Sequence, residues 1–397
     1  MTKTGYVYYK NDYAGVLEES PNGNTCFTYN DSYLGTIACS LPRHGQSFTW
    51  KKAVHPFFEN LAPEGWLRSL QARGGSIQAK DTFGMLLAYG KDCIGAVGIR
   101  PKQSEAIQQN NNYDVETRAA TTAPRTISGV QRKLLAYKKA GKFYPAEAVS
   151  DSTTHIAKLN SQDNHTLVQN ESLSLRLASN ILGQDQVTKF TLGSLQRIDE
   201  ISLLVERFDR TSSGEKLRME EFAQILNKPC GNSYSGKYQG SYEEIALAIK
   251  EFSSFPVIDL ERFFRQLVFS ILVGNCDAHF KNFALIETNT GLRLAPAYDI
   301  LNTLLYPEKG YSSQLALEIA GAKRQWDVID RKIITDFGQA IGLTKQAIEL
   351  ALSQIENAST KIQLQELLEP HPLARPDDFK TRYKTIFDSA CHRIFTT

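Results

Sequence analysis

One segment constrains this chain more than any other: an apolar helical stripe that runs directly into a crowded polar loop. Within Leu260–Val273, the residues Phe263, Phe264, Leu267, Val268, Ile271 and Leu272 fall on one face at helical spacing. Gly274 follows, at the position where a residue free to take positive φ ends a helix. Asn275, Asp277, His279, Lys281 and Asn282 then crowd into the stretch VGNCDAHFKN. A buried helix that ends in so dense a set of titratable and amide side chains is a scaffold for a loop with chemistry to do.

Spacing narrows that chemistry. Asp277 and Asn282 stand five residues apart, as do the base and the metal-binding Asn of the protein-kinase catalytic loop. Phe283–Ile286 and Leu292–Leu294 flank Asn289-Thr290-Gly291 in a β-hairpin pattern, and the second strand leads to Asp299 in APAYD. A lone aspartate such as Asp277 is more often a turn or capping residue. The ordered set of base, Asn, hairpin and second Asp is what a kinase uses to hold a hydroxyl and Mg²⁺ beside a γ-phosphate.

The 397-residue length allows two or three domains with cores of their own. A net charge of +2 gives no basis for bulk electrostatic binding of nucleic acid. The six cysteines form no C-x-x-C pair, a pattern suited to free thiols in a reducing cytoplasm rather than to disulfides or zinc. The N-terminal MTKTGYVYYKN has no apolar h-region, and no apolar run approaches a membrane span, so the expected location is cytoplasmic.

Residues 1–101 read as a small α+β unit. Tyr6–Tyr9, Ala14–Glu18 and Thr25–Tyr29 are strand-like; Pro63–Arg73 is helical up to Gly74-Gly75, and Asp81–Tyr89 is a helix with Asp81 as N-cap; Cys93–Ile99 is a strand. Gly74-Gly75 and Lys80 lack phosphate-loop spacing and terminate a helix instead. Residues 102–124, with QQNNN and RAATTAP, read as a polar linker.

Arg125–Lys133, RTISGVQRK, brings Thr126, Ser128, Gly129, Arg132 and Lys133 together. Amides around a glycine can approach phosphate oxygens and the cations neutralise them, although alone the segment is more readily an ordinary turn before a strand. Lys158 sits in the strand-like His155–Leu159, where an ammonium needs a partner unless it lies on a solvated edge. Glu171 heads a helix that carries Leu173, Leu177 and Ile181 and ends at Gly183; a strand Lys paired with a helix Glu positions ATP phosphates in kinases. Leu203–Val205 reads as a buried strand, with Glu206-Arg207-Phe208 following either as a hinge or as a plain strand end. The Gly/Tyr loop Tyr234–Gly240 carries no readable role. Beyond Asp299, stripes through Ile329–Ile341, through the helix capped by Thr344, and through Phe379–Ile394 describe a helical bundle without chemistry.

These segments have a family wording. TISGVQRKL, THIAKLN, NESLSLRLA, LLVERFDR, GNCDAHFKNFAL and LAPAYDIL together resemble the HipA family of bacterial serine/threonine kinases, the toxins of HipA–HipB-type toxin–antitoxin modules. NLAPEGWLRSLQARGG and DTFGMLLAYGKDCIGAVGI resemble the small domain that precedes the kinase in that family. The resemblance implies an α+β, bilobal, kinase-like fold: the 1–101 domain, the 102–124 linker, an N-lobe at 125–208 and a mostly helical C-lobe at 209–397. It implies Asp277 as general base, Asn282 and Asp299 as Mg²⁺ ligands, and Lys158 on the ATP phosphates, paired with Glu171. Ser128, Gly129, Val130, Gln131, Arg132 and Lys133 would form the phosphate loop, Glu206, Arg207 and Phe208 would meet the adenine, and His279, Lys281 and Tyr298 would lie in the nucleotide site.

The same resemblance implies self-inactivation by phosphorylation of Thr126 or Ser128, where added negative charge would repel ATP. Thr126 departs from the family's commoner serine, and Met219 in LRMEEFAQ stands where the family often has Gln, so no role is carried to it. The implied partners are a HipB-like helix-turn-helix antitoxin, with DNA reached only through it, and a protein substrate, an aminoacyl-tRNA synthetase phosphorylated at a flexible ATP-binding loop. No membrane partner is implied. A catalytically weak or dead scaffold and co-repressor is the alternative; retention of Lys158, Asp277, Asn282 and Asp299 argues against it. A kinase of lipids or small molecules lacks support from any basic membrane-facing patch.

Overall fold

A computed structural model describes residues 2–102, 113–127, 129–161, 163–230, 236–362 and 376–396. The chain divides into two compact units, each made of two chain segments: Met1–Ser161 with Phe190–Gly236, and Gln162–Lys189 with Lys237–Thr397.

The first unit holds two five-stranded antiparallel sheets. Strands β1 (Lys3–Tyr9), β2 (Asp12–Glu19), β3 (Thr25–Tyr29), β4 (Ser47–Trp50) and β5 (Val97–Pro101) pair in the order β4-β3-β2-β1-β5. Alternation turns Val7, Leu17, Phe27 and Ile99 inward onto Phe58 and Phe83, giving the N-terminal residues a core of their own. Asp81 caps the helix Thr82–Tyr89 by accepting from the Gly84 amide at 2.8 Å. The last strand begins at Val97 rather than at Cys93. Gly95 takes φ +77° and gives its amide to Asp209 Oδ2 at 2.8 Å, which removes that stretch from the ladder.

The second sheet comprises β6 (Lys133–Lys139), β7 (Lys142–Pro145), β8 (His155–Lys158), β9 (Phe190–Ser194) and β10 (Ile201–Glu206), in the order β7-β6-β8-β10-β9. Leu134, Ala136, Ala157 and Leu204 pack there with Leu67 and Leu70 of the helix Gly65–Gly74 and with Ala120. Ala120 lies in a helix, Val115–Thr121, that the polar composition of residues 102–124 concealed: Asp114 accepts from the Thr117 amide at 2.8 Å, and a short alanine face is enough to reach the core. The stretch is therefore not wholly linker. The partition also differs from a cut at residue 208, because residues 209–236 complete the first unit and the helix bearing Glu171 belongs to the second.

Among the described residues the second unit is mainly helical: Leu167–Leu182, Tyr242–Phe252, Pro256–Leu272, Arg331–Ala340, Lys345–Thr360 and Pro376–Phe395, with one hairpin of β11 (Ala284–Thr288) and β12 (Gly291–Leu294). Pro256 opens its helix where a missing N–H costs nothing. The six apolar residues from Phe263 to Leu272 named above are almost fully buried, each contributing about 1.5–3 kcal/mol of burial free energy. Ser241 and Glu244 form a capping box, and Thr344 caps the helix Lys345–Thr360 through the Ala347 amide. Among the described residues no helix is long and apolar enough to cross a membrane. All six cysteines are free thiols.

Candidate functional site

In the second unit, the loop after Pro256–Leu272 is held from both sides. Gly274 takes φ +71°, and a Cβ there would come 2.8 Å from Ile386 Cγ2 and 3.0 Å from Asn302 Oδ1, so only glycine turns this corner. Thr303 ties the loop down: its amide and hydroxyl donate to the Gly274 carbonyl at 3.1 and 3.2 Å, and its hydroxyl accepts from the Cys276 amide at 3.0 Å. Asn275 Oδ1 accepts from the Asp277 amide at 3.1 Å. Asp277 is thereby presented half-buried at the loop's crest.

The side chains around it interlock. Asn282 Oδ1 accepts from the His279 amide at 3.0 Å, and its Nδ2 donates to Asp299 Oδ2 at 3.1 Å. His279 Nδ1 accepts from the Lys281 amide at 3.3 Å, which leaves the proton of the neutral ring on Nε2. Tyr298 donates to the Lys281 carbonyl at 2.9 Å. Asp299 adopts φ +56°, a left-handed conformation costing a non-glycine residue about 1 kcal/mol or more. Burial and the negative charge of Asp277, with smaller contributions from Tyr306 and Asp299, push the Tyr311 phenol up to about 12.

A residue that the sequence left unassigned joins this group. Tyr238, from the Gly/Tyr loop, donates its hydroxyl to Asp277 Oδ1 at 2.9 Å, and its ring stands edge-on to His279 with centroids 5.0 Å apart. Nothing in the local sequence signals this, because the partners are 39 residues apart. Tyr234 and Ser235 of that loop lie outside the described residues.

In the first unit, Lys158 occupies the central strand β8 and is only 7% exposed, so it is not a solvated edge residue. Lys133 of β6 lies directly opposite it in the ladder and is equally buried, which puts two ammonium groups on one face of the sheet. A Cβ on Gly129, itself at φ +100°, would collide with Lys133 Nζ. The glycine turn, the lysine beside it and the lysine across from it thus sit together. Val130 is exposed and Gln131 half-buried; Ser128 lies outside the described residues. Thr126 is buried, with its amide donating to the Asp92 carbonyl at 3.1 Å.

Two arginine side chains of these segments are held by protein groups. Arg132 does not share the face of Lys133: it is held by Glu116 and by Glu200 at 2.7 Å, and it donates to the Asn160 carbonyl at 2.9 Å. Arg207 does not offer its side chain to a nucleotide base. It is buried and bidentate on Asp209 at 3.0 and 2.7 Å, and it also donates to Thr153 Oγ1 and to the Cys93 carbonyl. Asp209 in turn accepts from Arg210 at 2.7 Å, and Asp92 accepts from Arg210 at 2.8 Å. Glu206 is exposed at the end of β10, and Phe208 is half-buried. Glu171 is fully buried in the helix Leu167–Leu182 of the second unit.

Asp299 and Asn282 supply a carboxylate and an amide of the kind that Mg²⁺ takes as oxygen ligands, completed by water and phosphate oxygens. It is Asn282 Nδ2 that faces Asp299 here, with Oδ1 on the His279 amide, so the amide would have to turn for its oxygen to join the carboxylate on the ion. Among the described residues no group of three His, Cys, Asp or Glu side chains could hold a metal by itself.

Comparison with known proteins decides the family. The model of the HipA-like C-terminal domain matches residues 125–362, and that of the HipA N-terminal domain matches residues 5–100. The chain belongs to the HipA family. Its relatives include the Sinorhizobium fredii protein Y4dM, 30% identical over 318 residues, covering 74% of this chain and 75% of that one. Another is the serine/threonine-protein kinase toxin HipA of Shewanella oneidensis, 27% identical over 372 residues, covering 86% of this chain and 83% of that protein. Among solved structures, HipA in the Shewanella oneidensis complex of HipA, HipB and operator DNA aligns with a TM-score of 0.74 at 21% identity, over 99% of this chain and 97% of that one. The α+β, kinase-like fold of the HipA family is therefore the fold of this chain.

Proposed function

We propose that this HipA-family chain is a Mg-ATP-dependent serine/threonine protein kinase that acts as the toxin of a type II toxin–antitoxin pair. The observation that carries the reading is the loop from Asn275 to Asn282, in which a half-buried Asp277 is fixed by backbone and amide bonds while Asn282 is tied to Asp299. Asp277 takes the proton of the acceptor hydroxyl as its oxygen bonds to the γ-phosphorus. The bond from that phosphorus to the β–γ bridging oxygen breaks, and ADP leaves. Asn282 and Asp299 would hold Mg²⁺, which would supply positive charge to the phosphates when bound. Lys158 and Lys133, with the turn at Gly129, neutralise and orient the phosphates. His279, Lys281 and Tyr298 line the nucleotide side, and the backbone of Glu206–Phe208, rather than the Arg207 side chain, meets adenine.

Family membership supports a finer assignment. The substrate is an aminoacyl-tRNA synthetase, phosphorylated at an ATP-binding loop so that translation stops in the cytoplasm. The partner is a HipB-like helix-turn-helix antitoxin, which alone contacts DNA. Thr126 or Ser128 is the hydroxyl of self-inactivation; Thr126, being buried, would have to leave its place to be modified. The test is transfer from labelled ATP in the presence of Mg²⁺. Label on protein that disappears in Asp277→Ala supports the kinase. Antitoxin binding that ignores nucleotide, with no label in any condition, leaves the scaffold reading instead.

A further inference from the structure

We infer that Tyr238 is a positioning residue for the base, setting the orientation of the Asp277 carboxylate from which the acceptor proton is taken. This deepens the kinase reading and rests on it. The phenol donates to Asp277 Oδ1 at 2.9 Å, a charge-assisted hydrogen bond to one named oxygen of the group that does the chemistry. A carboxylate at the crest of a loop can rotate about its last torsion, which is broad for aspartate. A fixed donor removes that freedom and makes the base ready before the acceptor arrives.

Three further contacts hold the donor. The Phe280 amide donates to the Lys237 carbonyl at 3.4 Å, linking the tyrosine's turn to the 277–282 loop. Lys323 Nζ reaches the Tyr238 carbonyl at 3.4 Å and also bonds the Ala316 carbonyl, so the backbone is gripped from behind. The ring packs edge-on against His279, which fixes the direction in which the hydroxyl points. The tyrosine thus adds a contact on the carboxylate oxygen itself to the amide bond that places the residue in the loop.

The experiment uses the full chain and Tyr238→Phe, which keeps the ring and removes the hydroxyl. Steady-state phosphoryl transfer from ATP is measured for native protein, Tyr238→Phe and Asp277→Asn, with thermal melting of each. The expected result is a fall in kcat of about 10- to 100-fold in Tyr238→Phe, the size of losing one hydrogen bond to a charged group. KM for ATP stays within about twofold, and the melting temperature is unchanged. Tyr238→Ala, which also frees His279, should raise KM for ATP as well. If native protein transfers phosphate and Tyr238→Phe matches its kcat, or loses activity only through KM or melting, the positioning role is overturned while the kinase reading stands. If native protein transfers nothing in any condition, both fall together.

Discussion

Two groups of charged side chains, one in each unit, show how differently the same residue types can be used. In the first unit Asp92, Arg125, Arg207, Asp209, Arg210 and Lys216 meet across long sequence distances, and the ions answer one another. Burial alone would raise Asp209, yet the Arg207 and Arg210 guanidinium groups outweigh it and hold the carboxyl below the usual range. In the second unit Asp277, Asn282 and Asp299 are half-buried, and the groups that fix them include a phenol, amides and backbone. The first cluster holds a fold together by closing on itself. The second stays half-buried, where we propose that its carboxylates meet a ligand.

The contrast can be broken by substitution. Asp277→Asn should cost about 1,000-fold or more in transfer while melting like native protein, since general-base catalysis contributes 10²–10⁴. Asp209→Ala should do the reverse. It strands a buried arginine and should lower the stability of the first unit by about 3–5 kcal/mol in denaturant titration. If Asp209→Ala melted like native protein, the cluster would not be the structural clamp described here.

A pH titration sharpens the difference. Burial pushes His55, in the first unit, from 6.5 down to about 4. Its neutral form belongs to the fold, so the stability is present above pH 6.5 and is lost as pH falls toward 4, by up to about 3 kcal/mol. Melting curves at pH 7 and pH 4.5 should show this loss in native protein and little of it in His55→Gln. Gly274→Ala is the mildest probe, because a Cβ at φ +71° against Ile386 should cost about 1–3 kcal/mol by denaturant unfolding. It should also lower kcat, by displacing the loop it begins.

What could be read from the amino-acid order follows the same divide. The apolar stripe within Leu260–Val273 and the stop at Gly274 are short-range patterns, and both have their counterpart in the structure; the Asp277–Asn282 spacing is as local. The hairpin at Asn289-Thr290-Gly291 and the caps at Asp81 and Thr344 are equally local. The ion cluster was hidden because its members lie at residues 92, 125 and 207–216, so Arg207 read as part of a hinge. Tyr238 was hidden for the same reason, and a helix of seven residues escaped notice within a polar stretch. Lys158 could be suspected of needing a partner, but only the ladder reveals Lys133 across from it.

The interleaving of the chain has a consequence for synthesis. The helix Leu167–Leu182 leaves the ribosome long before the helices Pro256–Leu272 and Lys345–Thr360 that cover its apolar side. At 5–20 residues per second, that exposed stripe waits on the order of ten seconds for its last neighbour. A premature stop anywhere in that interval would release a polypeptide with an uncovered greasy flank, a substrate for chaperones and proteases rather than a smaller working protein.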